Sequence, residues 1–476
     1  MSDSAPSIDA MKGALRRPGA ILLISYYELG HAPLGLASPL GFLARAGFPA
    51  NALDTSIDPL DPEAVLAASF IGISVPMHTA LRLGLTLVGR IRAVNPRCHV
   101  CFYGLYASLN ADHLFAHGAD TVIGGEYESP LLSLIEALDG GLPTSSIEGL
   151  SRPDQPGSPL LRRLPFALPL REKLPAVDRY AHIEGGGLSG PAGYVEATRG
   201  CLHRCRHCPI TPVYDGRFFA VPMDVLLADI RQQVEAGITH LTFGDPDFLN
   251  GPSHALRVAR ALHAQHPALT FDCTTKVEHI LKHEALFPEL RALGCVFVVS
   301  AFESTSDEVL RHLDKGHVFP DEARALGVLR SAGISLRPTW VPFTPWTTMK
   351  DYAGMLAFIE AEGLIDAVTP VQYGIRLLVP PGSALLDLPA MKPSLGPLDP
   401  QALSYRWQHP DPRMDALQAR VAAEVARAAA QEEDEFTTFA AIQGLVAEAQ
   451  GSPATSPKRR EKRGPSPPHL SEAWFC

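Results

Sequence analysis

The chain has 476 residues, of which 46% are hydrophobic and 19% are charged, and its formal net charge is −10. This composition is typical of a globular protein with two or three domains of roughly 100–200 residues each. The acidic balance does not favour a basic nucleic-acid-binding surface, and eight cysteines are too few for a disulfide-dense secreted scaffold. Because no apolar stretch approaches the roughly 20 residues that span a bilayer, we expect a cytoplasmic protein without a membrane segment.

The first 145 residues contain short apolar runs separated by stretches with helical periodicity. Continuous apolar runs that alternate with helices are typical of a parallel sheet covered on both faces. They predict an α/β domain over residues 19–145, a flavodoxin-like or Rossmann doubly wound parallel sheet, after a flexible N-terminus at 1–18. The runs are Ala20–Ser25, Ala50–Asp54, Phe70–Val75, His99–Gly104 and Thr121–Gly124.

A second alternation begins after a linker at 146–190 that is rich in Pro, Ser and Arg. Its six runs predict a partial (βα)6 TIM-like barrel over 191–395, with a site at the carboxyl ends of the strands. The runs are Gly193–Ala197, His240–Gly244, Leu269–Thr275, Cys295–Ala301, Ser335–Pro342 and Ala367–Ile375. Residues 396–450 have helical spacing, 451–468 form a basic low-complexity linker that we expect to be disordered, and 469–476 form a tail that ends in Cys476.

Three of the cysteines, Cys201, Cys205 and Cys208, fall within eight residues at the spacing C-x3-C-x2-C. Three thiolates can hold a cubane iron–sulfur cluster and leave one iron open, whereas four would close its coordination. The alternative is a zinc site, for which His203 or His207 would supply the fourth ligand.

The triplet resembles the signature of radical S-adenosylmethionine (SAM) enzymes, and the resemblance covers residues 191–385. It implies that the three cysteines hold a [4Fe-4S] cluster and that SAM binds the open iron and is cleaved by one electron.

The same resemblance implies which side chains contact SAM. His207 stands where the family usually has an aromatic residue beside the adenine, and Gly244-Asp245 resembles the turn that contacts the SAM ammonium. Asp245 and Glu303 are alternatively helix caps, and Arg337 and Arg376 are alternatively structural arginines. The implied SAM-binding set is His207, Gly244, Asp245, Ser300, Glu303, Ser304 and Arg337.

Residues 19–145 resemble the cobalamin-binding domain that precedes many radical SAM cores. The resemblance rests on Phe70–Ser74 and on Gly124-Gly125-Glu126-Tyr127-Glu128, where the family has a Gly-rich turn before a helix. The Asp-x-His-x-x-Gly loop, whose His ligates cobalt, is absent. Cobalamin binding and a scaffold or substrate-recognition role therefore both stay open.

The five remaining cysteines lie outside the triplet. Cys98 and Cys101 lie three residues apart in a strand pattern, so they point to opposite faces, and we expect them in the core with Cys273 and Cys295. One interpretation of Cys476 is an ordinary terminus. The other comes from a resemblance to a group of cobalamin-domain radical SAM proteins that end in Cys-Sec-Ala-Glu-Pro or Cys-Cys-Ala-Glu-Pro, and it implies that Cys476 is the first residue of such a tail, truncated at a selenocysteine codon. In the second case Cys476 is a catalytic candidate that the linker delivers to the barrel mouth.

These observations predict a radical SAM enzyme that cleaves SAM reductively at a [4Fe-4S] cluster and modifies a small molecule by group transfer or rearrangement. The resemblance also implies an electron donor such as flavodoxin or ferredoxin. One alternative is a non-catalytic sensor or carrier of cobalamin or a metal. Another is an RNA-modifying methylthiotransferase-like enzyme, for which a basic RNA-binding domain rather than the acidic helical C-terminal region would be expected.

Overall fold

The computed structural model describes residues 11–451 and 466–471. Residues 1–10, most of the predicted linker (452–465) and the end of the tail (472–476, with Cys476) lie outside the described residues. No helix in the described chain is long and apolar enough to cross a membrane.

The first domain is a six-stranded sheet in the order β2-β1-β3-β4-β5-β6, in which β1 to β5 are parallel and β6 is antiparallel. This is the flavodoxin-like strand order 2-1-3-4-5, so the predicted fold class is confirmed. Its elements are β1 (Ile21–Ser25), α1 (Leu34–Arg45), β2 (Asn51–Asp54), α2 (Pro62–Ala67), β3 (Phe70–Ser74), α3 (His78–Val94), β4 (His99–Tyr103), α4 (Leu105–Leu109), α5 (Ala111–Ala116), β5 (Thr121–Ile123), α6 (Glu128–Gly140) and β6 (Leu150–Ser151).

The central strands of this sheet are apolar throughout because both of their faces are buried. Ile21 and Leu23 pack in one core, whereas Leu22 and Ile24 pack in the other. The two thiols at 98 and 101 divide in the same way, and both are buried. The opposite-face prediction for these cysteines is therefore confirmed.

Segments beside this sheet are more tightly packed than the sequence indicates. Met11 and Leu15 are buried in the first domain, so residues 11–18 are not the flexible segment that was predicted. Their apolar side chains cover the sheet, and the Leu15 N–H donates to Asp139 Oδ1 at 3.0 Å. The predicted linker also contributes Leu160 and Phe166 to the core of the second domain.

The second domain is a curled seven-stranded sheet in the order β14-β13-β12-β11-β8-β7-β17, in which β17 is His469–Leu470 near the C-terminus. β8 and β11 to β14 are parallel, β7 is antiparallel to β8, and β17 is antiparallel to β7. Its elements up to the last barrel helix are β7 (His182–Glu184), β8 (Gly190–Val195), β9 (Thr198–Gly200), α7 (Ile210–Tyr214), β10 (Phe218–Ala220), α8 (Met223–Glu235), β11 (His240–Phe243), α9 (Pro252–Gln265), β12 (Thr270–Thr274), α10 (Val277–Lys282), α11 (Phe287–Ala292), β13 (Cys295–Glu303), α12 (Asp307–Leu313), α13 (Phe319–Ser331), β14 (Ser335–Trp340) and α14 (Met349–Ala361).

The main difference between the predicted and the observed barrel is at the sixth predicted strand. Residues Ala367–Ile375 form 3-10 turns at Ile365–Ala367 and Pro370–Gly374, and one parallel bridge between Phe343 and Arg376 stands at the sixth position. Pro370 has no N–H to donate to a strand ladder, which favours the turn.

The C-terminal region contains a hairpin as well as the predicted helices. Leu403, in the hairpin turn, packs into the core of the first domain. The elements are β15 (Leu395–Asp399), β16 (Ser404–Trp407), α15 (Pro412–Ala430), α16 (Glu435–Ala449) and β17 (His469–Leu470).

The two domains meet at Arg199, two residues before the cysteine loop. Its guanidinium is 8% exposed and lies 2.6 Å from Glu128, 3.0 Å from Glu196 and 3.4 Å from Glu126. The Tyr214 hydroxyl also donates to Glu126 Oε1 at 2.8 Å. Glu126 and Glu128 belong to the Gly-rich turn that the sequence associates with a cofactor, so this turn holds the barrel against the first domain.

Replacing Arg199 with Met should lower the free energy of unfolding by about 3–5 kcal/mol, because buried carboxylates lose their counter-charge. Chemical denaturation followed by circular dichroism measures this change. The control Arg162→Met removes a pair with Glu148 in which the two side chains are 62% and 65% exposed, and it should cost about 1 kcal/mol or less. Equal losses in the two variants would contradict the role of Arg199.

Candidate active site

The cysteine triplet lies on a loop at the carboxyl end of β8, held between the short strands β9 and β10. Cys201 and Cys205 are buried, Cys208 is half-buried, and all three are free thiols. Gly200 enters the loop at φ +78°, and a Cβ there would lie 2.5 Å from both the Arg217 carbonyl oxygen and the Tyr214 ring. Only glycine fits this turn without displacing backbone.

The spacing of the three sulfurs fits a cluster of several irons better than one zinc ion. Tetrahedral zinc holds its thiolates about 3.8 Å apart, given Zn–S bonds of about 2.3 Å. Within residues 11–451 and 466–471, the groups of three ligand atoms that lie within 4.8 Å of one another do not include this triplet. Burial raises the pKa of Cys201 to about 11 and that of Cys208 to about 12, so metal binding has to displace thiol protons.

Two of the predicted SAM-binding side chains meet beside this loop. Glu303, at the end of β13, lies 3.1 Å from His207 Nε2 and 3.1 Å from Lys315 Nζ. Burial raises the pKa of Glu303, but Lys315 and His207 outweigh it and hold the pKa at about 2. Glu303 also has φ +68°, so tertiary contacts hold its backbone in a rarely adopted region.

Lys315 is a site residue that the sequence interpretation missed. Its side chain is 3% exposed. Burial lowers the pKa of Lys315, but the neighbouring Glu303, Cys205 and Cys208 outweigh burial and raise it. Lys315 follows the fourth parallel strand of the barrel, β13, by twelve residues, and nothing in the sequence indicates that it folds back onto Glu303.

Asp245, at the end of β11, is buried, and its carboxyl group is hydrogen-bonded to neighbouring residues. Its carboxylate accepts hydrogen bonds from the Ala197 N–H at 2.8 Å and from the Thr198 hydroxyl at 2.5 Å. These bonds tie β11 to the segment that leads into the cysteine loop. The neighbouring Gly244 lies so close to Tyr194 that a Cβ would be 1.9 Å from the Tyr194 hydroxyl oxygen.

The other predicted residues are distributed around the barrel. Val299 and Arg337 line its cavity, whereas Ser300 must face the opposite side of β13 because side chains alternate along a strand. Ser304 Oγ accepts from the Ser306 N–H at 3.2 Å. Arg376 pairs with Asp415 at 2.6 Å and stacks on Trp407, which supports the structural alternative for this arginine.

The barrel encloses a cavity of about 520 Å³ that is large enough for a small molecule. Strand residues and the C-terminal strand β17 both line it. Lining residues from these elements include Tyr194, Thr242, Gly244, Thr274, Val299, Arg337, His469 and Leu470.

The carboxyl edge of the first sheet lies next to the cysteine loop. Burial and the proximity of Cys208 raise the pKa of Tyr106, on α4. Gly124 and Gly125 are covered by protein, since Cβ atoms there would lie 2.4 Å from Ser108 and 2.3 Å from the Leu160 carbonyl oxygen. The glycines therefore serve close packing between chain segments.

Residues 195–348 match the family model of the Radical SAM superfamily. The chain therefore contains a radical SAM domain, which confirms the resemblance carried by the cysteine triplet.

Two curated relatives show moderate similarity. The tRNA-2-methylthio-N(6)-dimethylallyladenosine synthase of Pseudomonas savastanoi pv. phaseolicola is 24% identical over 225 residues, 45% of this chain and 50% of that protein. The anaerobic magnesium-protoporphyrin IX monomethyl ester cyclase of Synechocystis sp. is 22% identical over 330 residues, 65% of this chain and 64% of that protein. The chain thus spans about half the length of the first relative.

Two solved structures share the fold across both domains. The radical SAM methyltransferase TsrM from Kitasatospora setae, with tryptophan and a SAM analogue bound, has a TM-score of 0.64 and 16% identity over 85% of this chain and 89% of that one. The cobalamin-dependent radical SAM enzyme OxsB, with aqua-cobalamin and SAM bound, has a TM-score of 0.67 and 14% identity over 91% and 74%.

The Asp245→Asn variant separates the two roles of this carboxyl group. Burial raises the pKa of Asp245 from 3.8 to about 7, so the folded state binds more protons between these values and stability falls as pH rises through them. The variant should show a flatter dependence of unfolding free energy on pH from about 4 to 7. If Asp245 also binds the SAM ammonium, the variant should weaken SAM binding at least tenfold in equilibrium dialysis. An unchanged affinity for SAM would mean that Asp245 has only the structural role.

Proposed function

We propose that this chain is a radical SAM enzyme that uses a [4Fe-4S] cluster to modify a small molecule held in the barrel cavity. One observation carries the proposal: three free cysteines crowd one loop at the carboxyl end of β8, inside the segment that matches the Radical SAM superfamily. The shared fold with methyltransferase and cobalamin-dependent structures supports group transfer as the reaction class.

In this proposal Cys201, Cys205 and Cys208 hold the cluster, which when bound supplies the electron that cleaves the SAM sulfonium. Glu303, kept ionised by Lys315 and His207, accepts hydrogen bonds from the polar groups of SAM. Buried Lys315 offsets the negative charge of the thiolates. The cavity walls exclude water and orient the substrate, and Arg337 provides a positively charged side chain in the cavity lining.

Cobalamin is the second cofactor of the proposal. Its support is the domain order shared with OxsB and a half-buried apolar patch formed by Tyr26, Met77 and Leu105 at the carboxyl ends of three neighbouring strands. Such a patch suits one face of a flat macrocycle, and α/β sheets bind ligands at this edge. The packed Gly124–Glu128 turn would not contribute to that site.

The proposal extends to the tail, where Cys476 acts as a catalytic thiol at the barrel. Both β8 and β17 are antiparallel to β7, so the described end of the tail runs toward the carboxyl end of β8. Five residues follow Ser471, and an extended chain of five residues covers at most about 17 Å. Four residues of β8 cover about 13 Å, so this length matches the distance along the strand direction to the carboxyl end of β8.

The electron for SAM cleavage would come from a one-electron carrier of the flavodoxin or ferredoxin type in the cytoplasm, where the clustered thiols stay reduced.

A second candidate, an RNA-modifying methylthiotransferase-like activity, is favoured by the similarity to the tRNA synthase. Incubating reconstituted protein with SAM and either unfractionated tRNA or a small-molecule extract distinguishes the two. A modified nucleoside in digested tRNA would replace the small-molecule proposal.

Replacing Cys201, Cys205 and Cys208 together with Ala should abolish the visible absorbance of the iron–sulfur cluster and all SAM cleavage after anaerobic reconstitution. The matched control is Cys295→Ala, which removes a buried core thiol and should keep both signals. Wild-type protein that takes up no cluster, or a triple variant that still cleaves SAM, would exclude the proposal.

Cys476→Ala tests the tail separately. Because the cluster and SAM sites remain complete, SAM cleavage without substrate should stay within about twofold of wild type, whereas product formation should fall at least tenfold. Chromatography with mass detection measures both. Product formed at the wild-type rate would remove Cys476 from the catalytic set.

A further inference from the structure

A second group of metal-ligand side chains lies next to the cysteine loop. His203 comes from the loop itself, Asp247 follows β11, and His279 lies on α10 after β12. Asp247 Oδ2 is 2.9 Å from His279 Nδ1 and 3.6 Å from His203 Nε2. In the part of the chain that the structure describes, this is the group of three such side chains whose ligand atoms lie within 4.8 Å of one another.

The ligand atoms are buried and directed at one another. Asp247 is fully buried, and the side chains of His279 and His203 are 7% and 15% exposed. His203 Nε2 and His279 Nδ1 are inaccessible to solvent, and neither forms a hydrogen bond of suitable geometry, although Asp247 Oδ2 lies close to both. Two buried imidazole nitrogens without hydrogen bonds are costly unless another group satisfies them.

The surroundings of Asp247 also match those of a metal ligand. Its Oδ1 accepts hydrogen bonds from the Thr275 hydroxyl at 2.9 Å and the Leu249 N–H at 3.0 Å. Its Oδ2, which faces the histidines, also accepts a hydrogen bond from the Lys276 N–H at 3.3 Å. Glu278 Oε2 lies 3.7 Å from the other nitrogen of His203. Carboxylate ligands fixed by hydrogen bonds, and histidines with an acidic neighbour behind them, are typical of metal sites.

We propose that His203, Asp247 and His279 form a mononuclear site for a divalent transition-metal ion, separate from the cluster. Ligand atoms bound at about 2.0–2.1 Å stand about 2.9–3.4 Å apart around one ion, close to the spacing seen here. Two imidazoles and one carboxylate suit Zn²⁺ or Fe²⁺ and leave a coordination position open. The ion would fix the cysteine loop to the ends of β11 and β12, independently of whether a cluster or SAM is bound.

The test uses the full chain with Cys201, Cys205 and Cys208 replaced by Ala, so that neither the cluster nor thiol-bound zinc contributes. After treatment with a chelator, this protein is dialysed against Zn²⁺ and its metal content is measured by mass spectrometry. We expect about one Zn²⁺ per chain and a rise in Tm on zinc addition, because an ion that binds the folded state stabilises it. Both effects should be lost in His279→Ala and in His203→Ala added to that background.

His283→Ala is the matched control. This histidine is in ring contact with His279 at 5.6 Å but lies outside the triad, so its variant should keep the zinc and the Tm shift. Circular dichroism of the His203 and His279 variants shows whether they fold. The proposal is overturned if the variant with the three cluster cysteines replaced binds no zinc, if folded variants of His203 and His279 keep it, or if zinc is lost only when the stacked surface pair His113 and His117 is replaced.

Substituting Co²⁺ for Zn²⁺ gives a second readout. Visible absorption of Co²⁺ reports its ligands, and a spectrum that changes with His279→Ala but not with His283→Ala assigns the imidazole directly. Since the cluster cysteines are absent from this protein, failure of the metal site leaves the radical SAM proposal unaffected, and the reverse also holds.

Discussion

The buried guanidinium of Arg199 is the interaction on which the arrangement of this molecule depends. One cation stands against three carboxylates, two from the first domain and one from the barrel, with little access to water. Such a group is stable only when all of its members are in place, because any unpaired charge at this depth is strongly unfavourable. It fixes the carboxyl edges of two parallel sheets against each other within two residues of the cysteine loop. The relative position of the two domains is therefore set by charge compensation at the site rather than by a distant hinge.

Charge compensation between buried groups also holds the cysteine loop. Lys315, Glu303 and His207 form a compact buried charge group on one side of it, while Asp245 ties the incoming segment to β11. Glu303 and Lys315 follow β13, Asp245 follows β11, and His207 lies in the cysteine loop after β8. The loop itself is short and contains few apolar residues, so contacts with the units that follow β11 and β13 determine its shape.

The strands and their order were largely predictable, whereas the contacts of the site were not. Five apolar runs of strand length marked the first sheet, because strands buried on both faces carry no polar positions. The same reasoning failed at Ala367–Ile375, where an apolar run with an internal proline forms turns. The hairpin at residues 395–407 carried no hydrophobic alternation strong enough to distinguish it from the helical region that follows. Glu126 and Glu128 were interpreted through a cofactor motif, and nothing local to them indicated Arg199 as their partner. His203, Asp247 and His279 are separated by more than thirty residues at each step, so only the closure of the barrel brings them together.

The short strand β17 protects the edge of the barrel sheet from pairing with other copies of the protein. It pairs with β7 at the outer edge of the barrel sheet, where an uncovered strand would present free N–H and carbonyl groups to any other chain. Leu470 packs there beside Ile183 and Phe297. Strand β17 thus covers an edge of the sheet that would otherwise be prone to aggregation, and removal of His469 and Leu470 would expose β7 as a template for strand pairing between molecules.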